Sequence, residues 1–398
     1  MRSGPLHYDP MDRATQADPY PLYRRLREED PVHFVERPND RGFWVLSRFA
    51  DVFAAAGDTA TFSSAAGLTF EDDEIARLGL APTLVMMDRP EHTAYRRLVS
   101  RGFTPRAVAT LEPAVRAFCR DRVRLITEAG RCDFIETLAG PLPTLVVATY
   151  LGVPEHDRSR FDEWSSAIVS ANAAGDAVHG AVDAVSALYG YFTELVARRR
   201  VEPGDDMLSD LVRAEVGGAP LDLAEILGYC FVMIAGGNDT VTGLLGGSAV
   251  LLAQNPEQRR ALTEDPGLLA GAVEELLRMT APVQGLCRTT TREVTVGGTA
   301  IPGGRKVHLL YGSANRDPRE FGPRSEALDL SRHIPRMLAF SGGPHHCLGA
   351  AAARLQGRVA LEELLAVCPE FSVDVDGGRL APGPFVRRYE SLTIDAGR

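Results

Sequence analysis

Cys347 is the residue best placed to do chemistry, in the segment FSGGPHHCLG at residues 340–349. It follows a glycine-rich turn and precedes an alanine-rich stretch of helical character. Free backbone N–H groups and the positive end of a helix dipole lower a thiol pKa there, favouring a thiolate that can ligate a metal. Gly342 and Gly343 let the backbone curl toward the sulfur, and Gly349 leaves room for a flat ligand. A buried cysteine at a helix start is the plain alternative. A second group of reactive side chains interrupts an apolar stretch: Gly236, Gly237, Asn238, Asp239 and Thr240 are poor helix formers in the middle of a long helical pattern. Each glycine costs up to about 1 kcal/mol relative to alanine. Either the helix is kinked around a satisfied aspartate, or it opens locally beside an acid and a hydroxyl that can relay protons. Glu275 and Arg278 in VEELLR, and His92 and Arg96 in RPEHTAYRR, sit three and four residues apart. Taken alone, such pairs are most often weak surface pairs.

Phe340, Gly343, His345, Cys347 and Gly349 fill every fixed place of FxxGxHxCxG, which resembles the haem-binding signature of the cytochrome P-450 monooxygenases. The resemblance implies haem b as cofactor, O2 as co-substrate, Cys347 as axial ligand of the iron and His345 as donor to a haem propionate. A thiolate in that position pushes electron density toward the metal and favours O–O cleavage. The segment Gly236-Gly237-Asn238-Asp239-Thr240 is similar to the family's oxygen-binding motif (A/G)-G-x-(D/E)-T, which implies that Asp239 and Thr240 deliver protons during oxygen reduction. His92 and Arg96 resemble the family's HxxxR helix, implying propionate contacts that Arg288 joins from the β-region. Glu275 and Arg278 match its ExxR, an interior pair bracing the haem region. The implied substrate wall comprises Leu68, Val85, Met86, Met87, Phe231, Ile234, Ala235, Gly236, Val283, Gln284, Phe385 and Val386. One departure stands out. Where the family places a loop arginine that completes a triad with ExxR, the alignment sets Ala327, with Arg324 the nearest substitute.

These residues need a scaffold, and the pattern supplies one. Helical spacing covers residues 19–30, and strand-like pieces follow at Val32–Val35 and Phe43–Leu46. From about 90 to 280 helix succeeds helix, broken at prolines 105, 141, 154, 203, 220, 256 and 266. The longest runs from Leu221 or Asp222 to about Gln254, roughly 50 Å at the α-helical rise. Short β segments, RTTTREVTV and KVHLLY, come next, and a last helix is expected at about 348–367. The expected fold is mainly α with minor β. The resemblance makes it one cytochrome P-450 domain over 1–398, triangular and helical, with a small β-rich lobe at about 30–60 and 285–310 and a helical lobe at about 88–282 and 348–367.

With 398 residues, 45% hydrophobic and 24% charged, the chain can bury a large core and is neither disordered nor fibrous. A net charge of −10 argues against a nucleic-acid partner. No CxxC occurs among the six cysteines, which excludes a disulfide framework or structural zinc site. No apolar run is long enough to span a bilayer and no secretory leader is visible, so a cytoplasmic, non-membrane monomer is expected. No two glycines stand in G-x-G spacing, so the dinucleotide fingerprint is missing. Electrons are therefore expected from separate chains, a ferredoxin and ferredoxin reductase. Such donors are acidic, which points to a docking patch drawn from Arg96, Arg97, Arg101, Arg354 and Arg358. The resemblance implies insertion of one oxygen atom into an apolar small molecule of terpenoid, steroid, fatty acyl or polyketide type. Oxidative coupling, peroxide-driven chemistry and a non-catalytic haem gas sensor remain open.

Overall fold

The computed structural model describes residues 6–37, 41–72, 74, 83–173 and 182–397. Positions 174–181 of the expected helical run lie outside them. The longer helices are α1 (Tyr20–Glu29), α2 (Phe49–Gly57), α3 (Glu91–Ser100), α4 (Glu112–Ala129), α5 (Pro141–Tyr150), α6 (Arg158–Ala173), α7 (Val182–Val201), α8 (Leu223–Gln254), α9 (Pro256–Glu264), α10 (Leu269–Thr280) and α11 (Ala350–Val367). Proline opens α5 and α9 at their first turns, where its missing N–H goes unmissed. No helix among the described residues is long and apolar enough to cross a membrane.

The axis of the molecule is α8. Its start is set by a capping box: the Asp222 carboxylate accepts from Glu225 N at 2.8 Å while the Glu225 carboxylate accepts from Asp222 N at 2.7 Å. The helix then passes through two separate apolar cores. Ile226, Tyr229, Cys230 and Ile234 pack with α5, α6, α7 and the Met207–Arg213 helix. Val241, Leu244, Leu245, Ala249 and Leu252 pack with α4, α10 and α11. Residues 235–240 belong to neither core, and this is where the glycines, the acid and the hydroxyl fall.

A five-stranded sheet lies at one side, in the order β1 (Val32–Val35), β2 (Phe43–Leu46), β10 (Lys306–Leu309), β7 (Leu286–Thr290) and β3 (Phe62–Ser63). The antiparallel β1–β2 pair joins β10 in parallel, with Val307 opposite Trp44, and β7 aligns Arg288 opposite Val307. This sheet therefore carries Arg288 to the interior from an element remote in sequence. A small hairpin, β8 (Val294–Val296) with β9 (Thr299–Ile301), links β7 to β10, and another, β5 (Glu215–Val216) with β6 (Ala219–Pro220), precedes α8. At the C-terminus β11 (Ser372–Leu380) and β12 (Tyr389–Asp395) form a hairpin extended by β4 (Arg131–Asp133). The turn before β12 lies against α8: a Cβ added at Gly243 would meet Arg387 O at 2.7 Å.

Between α8 and α11 the approach is equally close, because a Cβ at Gly357 would meet Leu244 Cδ2 at 3.1 Å and Val273 Cγ1 at 3.5 Å. Gly357→Val should therefore destabilise the protein by roughly 1–3 kcal/mol through overpacking, more than the helix propensity it gains. A urea midpoint no lower than that of the wild type would contradict this packing.

Candidate functional site

The loop before α11 is shaped by two residues with positive φ, Ser341 at 58° and Gly343 at 61°. At Gly343 a side chain is doubly excluded, since a Cβ would also lie 2.7 Å from Ala56 O and 2.8 Å from Gly57 Cα of α2. Ser341 exchanges a hydrogen bond with the Tyr311 hydroxyl at 3.0 Å, and Cys347 N donates to Phe340 O at 2.9 Å. Phe340 is buried under the Arg354 guanidinium, 4.6 Å from its ring centroid. The loop thus presents the Cys347 side chain at an open surface. The lowered thiol pKa expected from the helix start is not what the site gives. Burial pushes the thiol up, against the pull of the Gly349 backbone, Arg96 and Arg354.

Four basic groups converge beside this loop. His345 lies 3.2 Å from the Ser64 hydroxyl and packs at a tilt against His92 with ring centroids 4.2 Å apart. Arg96 donates to His346 O at 2.6 Å. Arg288 is 2% exposed, and its side chain bonds the carbonyl of its own neighbour Cys287 at 2.8 Å. Burial, then Arg288, His92 and Arg96, holds the His345 imidazole down to about 3, so it is neutral. Neither arginine has a carboxylate partner among the described residues. A buried guanidinium without an anion is costly, and it fits a ligand that brings its own carboxylates. No cluster of three or more His, Cys, Asp or Glu side chains able to cage a metal occurs among the described residues. A metal held by Cys347 would take its other ligands from a cofactor. These features fit haem, with its two propionates, at this site.

The second group of candidate residues lies in the middle of α8. The helix is continuous through residues 236–240, so the expected local opening is not formed. Room comes from a missing side chain instead: a Cβ at Gly236 would meet nothing within 4 Å, whereas one at Gly237 would strike Val147. The Thr240 hydroxyl donates to Gly236 O at 2.8 Å. Asp239, 1% exposed, is ion-paired with Arg388, a residue the sequence reading passed over because no motif marks it. Burial, outweighing Arg388, raises the Asp239 carboxyl from its ordinary value to about 6.

Of the expected substrate wall, Leu68, Val85, Met86, Phe231, Ala235, Val283, Phe385 and Val386 are half-buried, Gly236 is exposed and Met87 is nearly closed off. Two members are misplaced. Ile234 is sealed inside the core that α8 shares with α6 and α7. The Gln284 amide turns into the fold, donating to Ala281 O at 2.7 Å and accepting from the Tyr23 hydroxyl at 3.2 Å.

Glu275 and Arg278 form a bidentate pair, 2.7 Å at both contacts, at 0% exposure. The third member is neither Ala327 nor Arg324, both of which are exposed. Arg332 reaches Glu275 Oε1 at 3.3 Å and donates to Phe321 O at 2.6 Å, while Arg324 contributes only a carbonyl, 3.0 Å from Arg332. The signal was present in LDLSRH, eight residues beyond the substitute that the alignment proposed. The expected arginine patch also shrinks. Arg354 pairs with Glu274 at 2.6 Å, and Arg358 with Glu112 at 2.6 Å and Glu362 at 2.8 Å. Arg97 and Arg101 remain exposed, and Arg96 turns inward to the loop.

The sequence profile of the family described as Cytochrome P450 matches residues 267–382. Over 384 residues, 95% of both chains, this chain is 54% identical to Cytochrome P450 130 of Mycobacterium tuberculosis (strain ATCC 25618 / H37Rv). It is 37% identical to the Vitamin D(3) 25-hydroxylase of Pseudonocardia autotrophica, covering 90% of this chain and 88% of the relative. The structure of Mycobacterium marinum cytochrome P450 CYP268A2 in complex with pseudoionone superposes with a TM-score of 0.89 at 33% identity, covering 99% of this chain and 100% of that one. Fold and near-complete match define a haem-dependent monooxygenase. The chain belongs to the cytochrome P450 family, with haem b as cofactor and O2 as co-substrate.

Two outcomes follow. Arg332→Ala should lower stability by about 1–3 kcal/mol and speed haem loss, because it strips a donor from a buried carboxylate; Arg324→Ala should change neither. Equal effects in thermal melts and haem-transfer assays would reject that assignment. The second concerns Asp239. A raised carboxyl stabilises the fold while protonated; that contribution is complete below about 3.8 and is lost as the pH climbs through about 6. Wild type should thus lose about 1 kcal/mol relative to Asp239→Asn between about pH 5 and pH 6.5, read from paired denaturation midpoints.

Proposed function

We propose that this monooxygenase inserts one oxygen atom from O2, by hydroxylation or epoxidation, into a bulky apolar small molecule of terpenoid, steroid, fatty acyl or polyketide type. Electrons come from a separate ferredoxin and ferredoxin reductase. The observation that carries the reading is an exposed cysteine beside a basic cluster that has no acid partner among the described residues. The side-chain-free Gly236 and the half-buried Thr240 fit the oxygen-binding part of the same reading. Haem bound by a thiolate activates O2, so that one atom goes to substrate and the other leaves as water.

The chain's own residues supply the rest. Cys347 ligates the iron, and His92, Arg96, Arg288 and His345 anchor the propionates, exchanging a buried uncompensated charge for ion pairs. Phe340, Gly343 and Gly349 hold the cysteine loop in shape. Gly236 leaves space for a small diatomic ligand. The Thr240 hydroxyl, one helical turn on, holds a proton at its Oγ1, and Asp239 is the acid that reloads it. Apolar half-buried side chains from four segments, among them Val85, Met86, Phe231 and Phe385, favour a hydrophobic substrate and exclude water. Relatives named for vitamin D(3) hydroxylation and captured with pseudoionone support an isoprenoid-like ligand class. Arg97 and Arg101 offer exposed cations for an acidic donor.

The ferrous protein exposed to carbon monoxide should show the thiolate-type Soret band, and Cys347→Ser should abolish it. Thr240→Ala should uncouple turnover, so that electrons are consumed while product falls at least severalfold and peroxide rises. A wild type without that band, or full product formation by Thr240→Ala, would sink the corresponding role.

A further inference from the structure

A cavity of about 410 Å³ lies against the C-terminal half of α8. Its lining takes in none of the substrate-wall residues and nothing of the cysteine loop. Val250 and Leu251 of α8 form one side, Leu380 and Tyr389 of the β11–β12 hairpin another, and Tyr20 at the start of α1 closes it. The wall is graded in depth. Ala17, Asp18 and Gln254 are exposed and mark a mouth, whereas Met279, Thr280, Arg316 and Arg388 are buried and mark the inner end. Three guanidiniums line this space, those of Arg316, Arg387 and Arg388. Arg388 is ion-paired with Asp239, so its charge is already matched. The other two have no acid partner among the described residues. Arg316, 7% exposed, donates to Met279 O at 2.8 Å and lies 3.7 Å from the centroid of the Tyr20 ring, while its Nε has no hydrogen-bond partner among the described residues. Arg387 donates to the carbonyls of Gln16 and Ala17 and stands 5.7 Å from the same ring. Carbonyls and a ring face soften these charges without cancelling them.

We propose that this cavity binds a small organic acid, a singly charged carboxylate with an apolar body, at a site separate from the haem and its substrate. Charge fixes the first half of that description. A cation as deep as Arg316 is costly without a counter-ion, and the cavity beside it has room for one. Burial lowers the affinity of Arg316 for its proton; Tyr20 opposes that, and the like charges of Arg278 and Arg387 add to it. Two unmatched guanidiniums against the one lining carboxylate, Asp18, leave a single positive charge to be met. The walls fix the second half. Val250, Leu251, Met279 and Leu380 are apolar, and the volume falls within the roughly 300–1,000 Å³ usual for small-molecule sites. The carboxylate accepts from the Arg316 Nε that the protein leaves unpaired, with Arg387 beside it, because a guanidinium fork suits a planar two-oxygen acceptor. Its apolar body then lies along Val250 and Leu251 toward the mouth.

Three probes test this on the ferric holoprotein. Octanoate should bind saturably by calorimetry, one molecule per chain, without moving the Soret maximum. Octyltrimethylammonium, with the same chain and the opposite charge, and inorganic phosphate, with charge and no chain, should each bind at least about tenfold more weakly. Arg316→Gln should weaken octanoate by roughly tenfold or more through loss of a charge-assisted partner, while Arg316→Lys should keep most of the affinity. Val250→Phe, which fills the cavity, should weaken it as much, and Ala235→Phe, on the substrate side, should change it by less than about twofold. Arg387→Gln and Leu251→Phe take the place of Arg316→Gln and Val250→Phe should either of those fail to take up haem. Absence of saturable binding, equal affinity for the cation or for phosphate, or an affinity indifferent to Arg316 or to the filled cavity overturns the proposal. So does octanoate that moves the Soret band and responds to Ala235→Phe, since it would then sit on the substrate side. No oxygen chemistry is involved, so the outcome is independent of the carbon monoxide and Thr240 tests above.

Discussion

The arrangement depends on a single ion pair sealed from water. Glu275 and Arg278 have no exposed surface, so every lone pair and N–H left over from their mutual contact has to be matched by protein. That demand organises the chain around them. Arg278 donates to Asn315 O at 2.6 Å and Ser325 O at 2.7 Å, and Glu275 accepts from Asp329 N at 3.0 Å and from Arg332. Gln258 of α9 then clamps Leu328 and Leu330. Asn315, held by its carbonyl, uses its side-chain oxygen to fix Leu338 N at 2.8 Å, two residues before the cysteine loop begins. A chain of hydrogen-bonded polar groups therefore runs from α10 to the start of the cysteine loop. Its net contribution to stability is modest, but leaving any buried member unpaired is expensive, and this gives the loop one conformation.

Charge is handled in opposite ways on the two sides of that loop. Toward α4 and α11, Arg116, Arg354 and Arg358 are all consumed in pairs with glutamates. Toward β7 and α3, Arg96 and Arg288 have no acid partner among the described residues, and the His345 imidazole beside them is kept neutral. The contrast is informative because carboxylates outnumber cations over the whole chain. An uncompensated buried cation is costly, and a ligand that brings carboxylates to it would link its binding to folding stability.

Much of this could be read from the chain. FSGGPHHCLG carries its own backbone logic, because only glycine fits at 343 and the cysteine's place follows from it. The apolar length of α8 was equally visible, as were strands Val32–Val35 and Phe43–Leu46. What could not be read depends on distance. Arg332 was missed because an alignment of loops ignores which arginine can reach a buried carboxylate. Gln284 and Ile234 sit among wall residues in sequence yet rotate into the core, since neighbours on a turn or a helix point to different faces. Arg388 reaches across 149 positions to Asp239, and no spacing rule anticipates that.

The middle of α8 shows why the misread parts matter. A buried helix joining two apolar cores would be more stable with leucine or alanine at 236–240, since glycine and a desolvated acid both count against it. The segment lies where neither core needs side chains, so the fold tolerates weak packing there. On one stripe glycine leaves open space beside Thr240; on the next, Asp239 is held by a cation from the C-terminal hairpin. A single α-helix thereby presents the open glycine and the paired acid on stripes about 100° apart. Because the helix runs unbroken from Leu223 to Gln254, the angle between the two stripes is fixed by its geometry.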